Sequence, residues 1–178
     1  MIRLFAAVEL PESVRLQLSL LQGGMPGAKW VPIENLHLTL RFIGQVNHAL
    51  ARDIDDVLAD IRAPAFSLAL KGTGEFGRKE GRSLWAGVAN SEPLHRLAAK
   101  IESALQRMGL PAETRKYSPH VTLARLKDVS MNQVHQFLAT HALFKTPAFE
   151  VTAVTLFSSH RSSKGSLYRA ESVYALGL

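Results

Sequence analysis

Two tetrapeptides, HLTL at positions 37 to 40 and HVTL at 120 to 123, repeat the pattern His-x-Thr-Leu at an offset of 83 residues, close to half of the 178-residue chain. Each is embedded in an apolar run, LHLTLRFIG and HVTLARL, that reads as a strand. Successive side chains of a strand point to opposite faces. Leu36, Leu38, Leu40 and Phe42 therefore form one face, and His37, Thr39 and Arg41 the other, which predicts a core side containing Phe42 and a polar side containing the arginine. The same parity puts His120 with Thr122, and puts Arg125 on the opposite face unless that strand twists, bulges or ends. A repeat of this kind predicts two similar lobes, related by an approximate two-fold axis, that bring the two strands together.

The remaining pattern supports a mixed α and β architecture. Strands are expected at 2–10, 36–44, 66–72, 83–89, 120–126, 149–158 and 167–176, from their apolar and β-branched content and their Gly and Pro boundaries. Helices are expected from Pro11 to about Leu21, from an Asn47 cap to about Arg62, from a Ser91 cap to about Met108, and at 131–141. The acidic DIDD run is the solvated face of the second helix, whose stripe is Ile54, Val57, Leu58 and Ile61. The organisation is a single bilobal domain over 1–178 with an internal duplication.

An imidazole and a hydroxyl two apart on one strand face, roughly 6.5 to 7 Å from each other, look into a common space. Two such strands facing each other supply two imidazoles and two hydroxyls around one cavity. Histidine changes charge near neutrality, so one copy can act as base while the other acts as acid. That pair suits in-line displacement at phosphorus: one imidazole takes a proton from the attacking oxygen, the other protonates the departing one, and Thr39 and Thr122 hold non-bridging oxygens. The bland alternative is a pair of hydrogen-bonded structural histidines repeated by duplication. Against it, the repeated pair is polar while Leu36, Leu38, Val121 and Leu123 already supply the apolar face. Two histidines without Asp, Glu or Cys at ligand spacing fall short of a usual metal set, so no metal and no cofactor are expected.

Composition narrows the partners. The formal charge is +6, and basic residues cluster in FGRKEGRS, ETRKYS and SSHRSSKGSLYR, all of which read as loops. That balance biases the chain toward polyanions, although solvated loop charge is the alternative for any one cluster. Cysteine is absent, which excludes disulfides and thiolate chemistry and agrees with a cytoplasmic setting. No apolar run approaches a membrane span. His48, His95, His135, His141 and His160 read as surface residues, with His160 in a basic loop. The order Gly72, Gly77, Arg78, Lys79 lacks the lysine and hydroxyl of a phosphate-binding loop.

With these residues in place, the chain resembles the two-histidine (2H) phosphoesterases, and within them the RNA 2′,3′-cyclic phosphodiesterases also called 2′-5′ RNA ligases. The resemblance rests on NLHLTLRFIG and SPHVTLARL, supported by RLFAAVELP, LWAGV and LFSSHRSSKGSLY in the same order. It implies an α+β, LigT-like fold of two pseudo-symmetric lobes, each an antiparallel sheet backed by helices, with a central cleft. By resemblance His37 matches the proton donor, His120 the proton acceptor, Thr39 and Thr122 the phosphate-holding hydroxyls and Arg125 the following basic residue. Arg41 is a second candidate by strand parity, its alternative being an ion pair with a nearby carboxylate. Phe42 and Tyr117 are candidates to stack on a base, Phe42 being weighted toward the core. The implied activity is metal-independent hydrolysis of an RNA 2′,3′-cyclic phosphate to a 2′-phosphate, with reverse joining secondary, by a monomer without an obligate partner. The competing readings are a non-catalytic RNA-binding module on the same scaffold and a related enzyme acting on a small cyclic nucleotide.

Overall fold

Pro11 ends the first strand, β1 (Ile2–Glu9), and the chain turns directly into α1 (Glu12–Ser19) in the computed structural model, which describes residues 1–77 and 82–177. Arg78 and Lys79 of the first basic cluster lie outside the described residues. A short β2 (Ala28–Trp30) and one turn of 3-10 helix (Ile33–Asn35) lead into β3 (His37–Val46), which runs through Gly44 rather than stopping there. Helix α2 (His48–Ala59) starts where the Asn47 side chain accepts the Leu50 amide at 2.7 Å. The strand expected at 66–72 is divided: β4 (Phe66–Leu68) is separate from β5 (Leu70–Phe76), which pairs with β6 (Ser83–Val88).

Ser91 caps α3 (Glu92–Arg107), and β7 (His120–Leu126) follows after a polar connection. Ser130 and Gln133 form a reciprocal capping box on α4 (Met131–Thr140). The strand expected at 149–158 breaks at Thr152 into β8 (Phe149–Val151), which pairs with β4, and β9 (Ala153–Ser162). The stretch SSHRSSKGSLYR is not a loop: it forms the end of β9, a two-residue tip and the start of β10 (Gly165–Ala175). No described helix is long and apolar enough to cross a membrane.

Two four-stranded antiparallel sheets result, in the orders β10-β9-β1-β3 and β2-β7-β6-β5. Each takes strands from both halves of the chain, so the lobes are interleaved rather than consecutive. Helices α2 and α3 lie behind the first sheet, where Tyr174 of β10 donates to Asp55 and Arg41 of β3 meets Glu102. Helix α4 lies behind the second, with Phe137 against Trp30 at 6.0 Å between ring centroids. Leu4, Leu38, Ile54, Leu58, Leu94, Leu97 and Ile101 fill the first interior, and Leu84, Val121 and Leu123 the second, all at most 1% exposed.

Each histidine-bearing strand carries a surplus residue just past its His-x-Thr, and β3 carries a second one at Ile43, between Phe42 and Gly44. Ala7 faces Thr39 and Ala6 faces Arg41, which skips Leu40; Trp85 faces Thr122 and Leu84 faces Ala124, which skips Leu123. Such a β-bulge reverses which residues share a face beyond it. Two expectations are thereby corrected. Phe42 is not core: it stands opposite Phe5 on the histidine face, stacked on that ring at an interplanar angle of 4° and 46% exposed. Arg41 is not on that face: its guanidinium is turned toward α3, where Nε pairs with Glu102 and Nη2 donates to the Pro111 carbonyl at 2.7 Å. In β7 the bulge has the complementary effect of bringing Arg125, opposite Ser83, onto the face of His120 and Thr122.

Burial pushes the Glu102 carboxyl up, but hydrogen bonds from Arg41, Gln106 and the Glu113 amide outweigh it and hold the group at about 2. A carboxyl depressed in the fold stabilises it above the unfolded value near 4.5, and that contribution fades as pH falls toward about 2. Arg41→Met is accordingly expected to cost about 1–3 kcal/mol near pH 7 and to flatten the loss of stability between pH 4.5 and 2 seen in the parent chain. Denaturant unfolding at a series of pH values measures both; equal stability and equal pH dependence would contradict the tie.

Candidate active site

His37 opens β3 and His120 opens β7, and in each case the backbone two residues earlier fixes the ring. His37 Nδ1–H donates to the Asn35 carbonyl at 2.7 Å, and His120 Nδ1–H donates to the Ser118 carbonyl, also at 2.7 Å. With Nδ1 holding the proton, Nε2 of each neutral ring is left as the acceptor. Thr39 Oγ1 donates to His37 Nε2 at 2.9 Å. The hydroxyl thus sits on the nitrogen that would exchange a proton with a ligand.

Burial is the main cause lowering both imidazoles below their ordinary value, and the carbonyl bonds oppose it. His37 is lowered further by the charge of His120, whose strand β7 lies against β3. The neutral form of both is favoured in the empty cleft. The lobes are also tied by Tyr117, whose hydroxyl donates to the Thr39 carbonyl at 2.9 Å and whose phenol is pushed up by burial. Tyr117 is therefore a brace between β3 and the segment leading to β7, its ring edge-on to His95, and not an exposed stacking surface.

Aromatic rings wall both imidazoles. Phe5, Phe157 and Tyr168 lie 4.9, 6.4 and 5.4 Å from the His37 ring, and Phe76 and Trp85 lie 4.8 and 6.1 Å from the His120 ring. Trp85 can lie across β5 because residue 74 is glycine: a Cβ there would be 2.3 Å from the indole. Strand parity alone gave no sign of these walls, since their rings come from strands paired only in the fold. The carbonyl clamps were equally silent: NLH and SPH share only their histidine, and a backbone acceptor can come from any residue. Asn35 does more than offer its carbonyl, because its side chain donates to the Ser166 carbonyl at 2.9 Å and so anchors the β9–β10 hairpin beside His37.

The six candidate residues divide cleanly. His37, Thr39, His120, Thr122 and Arg125 share the inner face of the two sheets; Arg41 does not. Arg125 is exposed and has no side-chain partner among the described residues, whereas Arg41 is fully engaged. His160 points away from the cleft, bonded to the buried Ser158 hydroxyl at 2.8 Å, while His48, His95, His135 and His141 are on or at the end of helices. Among the described residues, no three His, Asp or Glu side chains gather as a metal-binding group.

The family model described as the 2′-5′ RNA ligase superfamily matches residues 11–163. An RNA 2′,3′-cyclic phosphodiesterase of Aeropyrum pernix is 35% identical over 158 residues, covering 87% of this chain and 89% of its own. The protein of that name from Methanothermobacter thermautotrophicus is 30% identical over 183 residues, covering 98% of this chain and 99% of its own. The crystal structure of E. coli LigT complexed with 3′-AMP superposes with a TM-score of 0.81 at 27% identity, covering 99% of each chain.

Because the charge of one imidazole lowers the other, His120→Asn is expected to raise the pKa of His37 relative to the parent chain. Titration of the His37 ring by NMR in both proteins measures the shift. An unchanged or lowered value would mean that the rings do not share a cleft.

Proposed function

The chain belongs to the 2′-5′ RNA ligase superfamily, and from that premise we propose that it hydrolyses RNA 2′,3′-cyclic phosphate ends to 2′-phosphomonoesters, using two histidines and no metal. The observation that carries the proposal is the matched pair of imidazoles, each with Nδ1 tied to a carbonyl, leaving His120 Nε2 without a partner among the described residues and His37 Nε2 with only the Thr39 hydroxyl. Such a pair can move two protons on opposite sides of one phosphorus atom.

In this reading His120 Nε2 accepts a proton from water as the water oxygen forms its bond to phosphorus. The P–O3′ bond breaks on the far side, and His37 Nε2–H delivers its proton to O3′, leaving the phosphate on O2′. Protonated His120 and neutral His37 then exchange protons with solvent. His37 needs a proton at the start, and burial disfavours it in the empty site. The phosphodiester anion supplies the missing stabilisation, since a negative charge within a few ångströms favours imidazolium. Thr39 holds His37 Nε2 in the free site and gives way to the leaving oxygen, then turns its hydroxyl to a non-bridging oxygen beside Thr122.

Arg125 is the arginine that offsets charge on phosphorus, because it lies on the histidine face with its guanidinium unengaged among the described residues. Arg41 is a structural tie in this scheme. Phe42 is the platform for the terminal base: it is flat on Phe5, exposed, and backed by Arg3 at 5.2 Å from its ring centroid. Joining would be the same displacement with the 5′-hydroxyl of a second RNA in place of water: its oxygen bonds to phosphorus, the P–O3′ bond breaks, O3′ takes the His37 proton, and a 2′-5′ phosphodiester forms.

His37→Ala or His120→Ala is expected to lower turnover of a 2′,3′-cyclic-phosphate oligonucleotide by on the order of 10²–10⁴ with the fold retained, and Arg125→Ala to lower it far more than Arg41→Met. Chelator should leave the rate unchanged. A 2′-phosphate as product, identified by mass and phosphatase sensitivity, separates the hydrolase from an RNA-binding module; turnover confined to mononucleotides would move the assignment to a small-substrate enzyme. The acid must be protonated and its pKa is lowered in the free protein, so kcat/KM is expected to fall on the alkaline side from below the ordinary imidazole value of about 6.5. An optimum well above neutrality would count against the pair.

A further inference from the structure

A groove of about 810 Å³ opens at the end of β7, beyond Arg125, between the start of β2 and the start of α4. It is lined by Lys29, Arg125 and Lys127, with Gln133 and the single carboxylate of Asp128. Strand register decides where these cations point. Lys29 is the direct cross-strand partner of Arg125, while their neighbours Trp30 and Ala124 pair on the other face, where Trp30 packs against Phe137 of α4. Lys29 therefore extends the row His120, Thr122, Arg125 sideways across the inner face of the second sheet, and Lys127 extends it lengthwise.

Neither lysine has an ion-pair or side-chain hydrogen-bond partner among the described residues, and both are exposed. The floor of the groove is tightly built. Gly27, at φ +88°, approaches β7 so closely that a Cβ would be 2.5 Å from the Lys127 carbonyl, and the Lys127 amide donates to the Gly27 carbonyl at 3.0 Å. The two cation-bearing segments are held side by side by backbone contacts.

We infer that this groove holds the ribose-phosphate backbone of single-stranded RNA on the 5′ side of the cyclic end, with Lys29 and Lys127 contacting phosphates that a mononucleotide does not have. The inference rests on the hydrolase reading of the cleft. Arg125 is the point where the two meet: it touches the scissile phosphate at one end of the groove. Lys127 lies seven residues from His120, about 23 Å along an extended strand, which is beyond a single nucleotide seated between the histidines. Cations at this distance bear on chain length rather than on chemistry, and contacts to backbone phosphate carry no base preference. A second groove, between α2 and α3, also carries cations, but Arg62 and Lys100 are joined there through the Arg62 carbonyl and Arg96 is paired with Glu92. It lies behind the first sheet, away from the cleft.

The test compares the parent protein with Lys29→Ala, Lys127→Ala, their combination, and Arg96→Ala as a control, on a 2′,3′-cyclic mononucleotide and on a short single-stranded oligoribonucleotide with the same end. The combined variant is expected to lose on the order of tenfold in kcat/KM on the oligonucleotide, to keep the parent rate on the mononucleotide, and to lower the salt slope of oligonucleotide binding by about 1.4, or about 0.7 for each phosphate no longer neutralised. Arg96→Ala should match the parent throughout. Equal loss on both substrates, no loss on either, or a larger loss in Arg96→Ala would overturn the groove. Fluorescence anisotropy with an oligonucleotide ending in a 2′-phosphate keeps the two readings apart. If the parent leaves cyclic ends unopened while the lysine variants still bind this probe more weakly, the hydrolase reading fails and the groove stands; if their binding is unchanged, the groove fails whatever the parent's activity.

Discussion

A surplus leucine just past the His-x-Thr of each of two strands organises the cleft. Leu40 in β3 and Leu123 in β7 each lack a partner across the ladder, and each is a buried leucine whose side chain remains in its core. Keeping that leucine inside while the strand advances by one reverses the face of the residues just after it, Arg41 and Phe42 in β3 and Ala124 and Arg125 in β7. Without the two bulges, Arg125 would be pressed into a core beside α4 and Phe42 into one beside α3. With them, the inner face gains one cation and one flat ring, and the burden of filling the other face falls on Ala124 and Arg41. The first fits without help. The second fits only because Glu102, the Pro111 carbonyl and the Phe42 carbonyl absorb its donors.

The bulges also make the duplication asymmetric where asymmetry matters. Residues 42 and 125 are separated by the same 83 positions as the histidines, yet one is phenylalanine and the other arginine. Two imidazoles in equivalent settings, each clamped by the carbonyl two residues earlier, have no intrinsic reason to divide acid from base. The residues just past the bulges supply one. In the proposed reading, a ring stacking on a nucleobase in one lobe and a guanidinium meeting phosphate in the other would give a bound nucleotide one orientation, and that orientation would assign the proton transfers. His37 is held by Thr39 and lowered by the charge of His120, so the two rings also differ in their free state.

Much of this was legible in the residues, and what was not has identifiable physical causes. The His-x-Thr pairs, their strands, and the capped helices at Asn47 and Ser91 follow from period and cap chemistry, which are local. The faces of Arg41, Phe42 and Arg125 do not, because a bulge is a property of a strand and its neighbour together, and nothing in HLTLRF distinguishes a regular strand from a bulged one. The interleaving of the sheets is likewise set by pairing: β9 and β10 come from the end of the chain yet flank β1. The hairpin SSHRSSKGSLYR, expected as a loop, is polar because one side faces the cleft and the other is exposed beyond the helices, so the usual loop composition arises from a two-sided solvated strand pair. The carbonyl clamps were hidden for another reason, since a backbone acceptor leaves no trace in residue type.

Interleaving has a mechanical consequence for the cleft itself. If each lobe were one half of the chain, the lobes would be joined at a single crossing and free to hinge about it. Here the chain passes repeatedly between them, and Tyr117 adds a half-buried hydrogen bond from the second lobe to the backbone of Thr39 in the first. Opening the cleft would have to break that bond and disturb the strand that carries His37. The two imidazoles are thus placed on a frame with little freedom to separate, which is what the proposed proton transfers at phosphorus require. Under the proposed activity, adaptation to different RNA ends would fall to the parts outside that frame, chiefly the hairpin anchored by Asn35 and the basic edge formed by β2 and the end of β7.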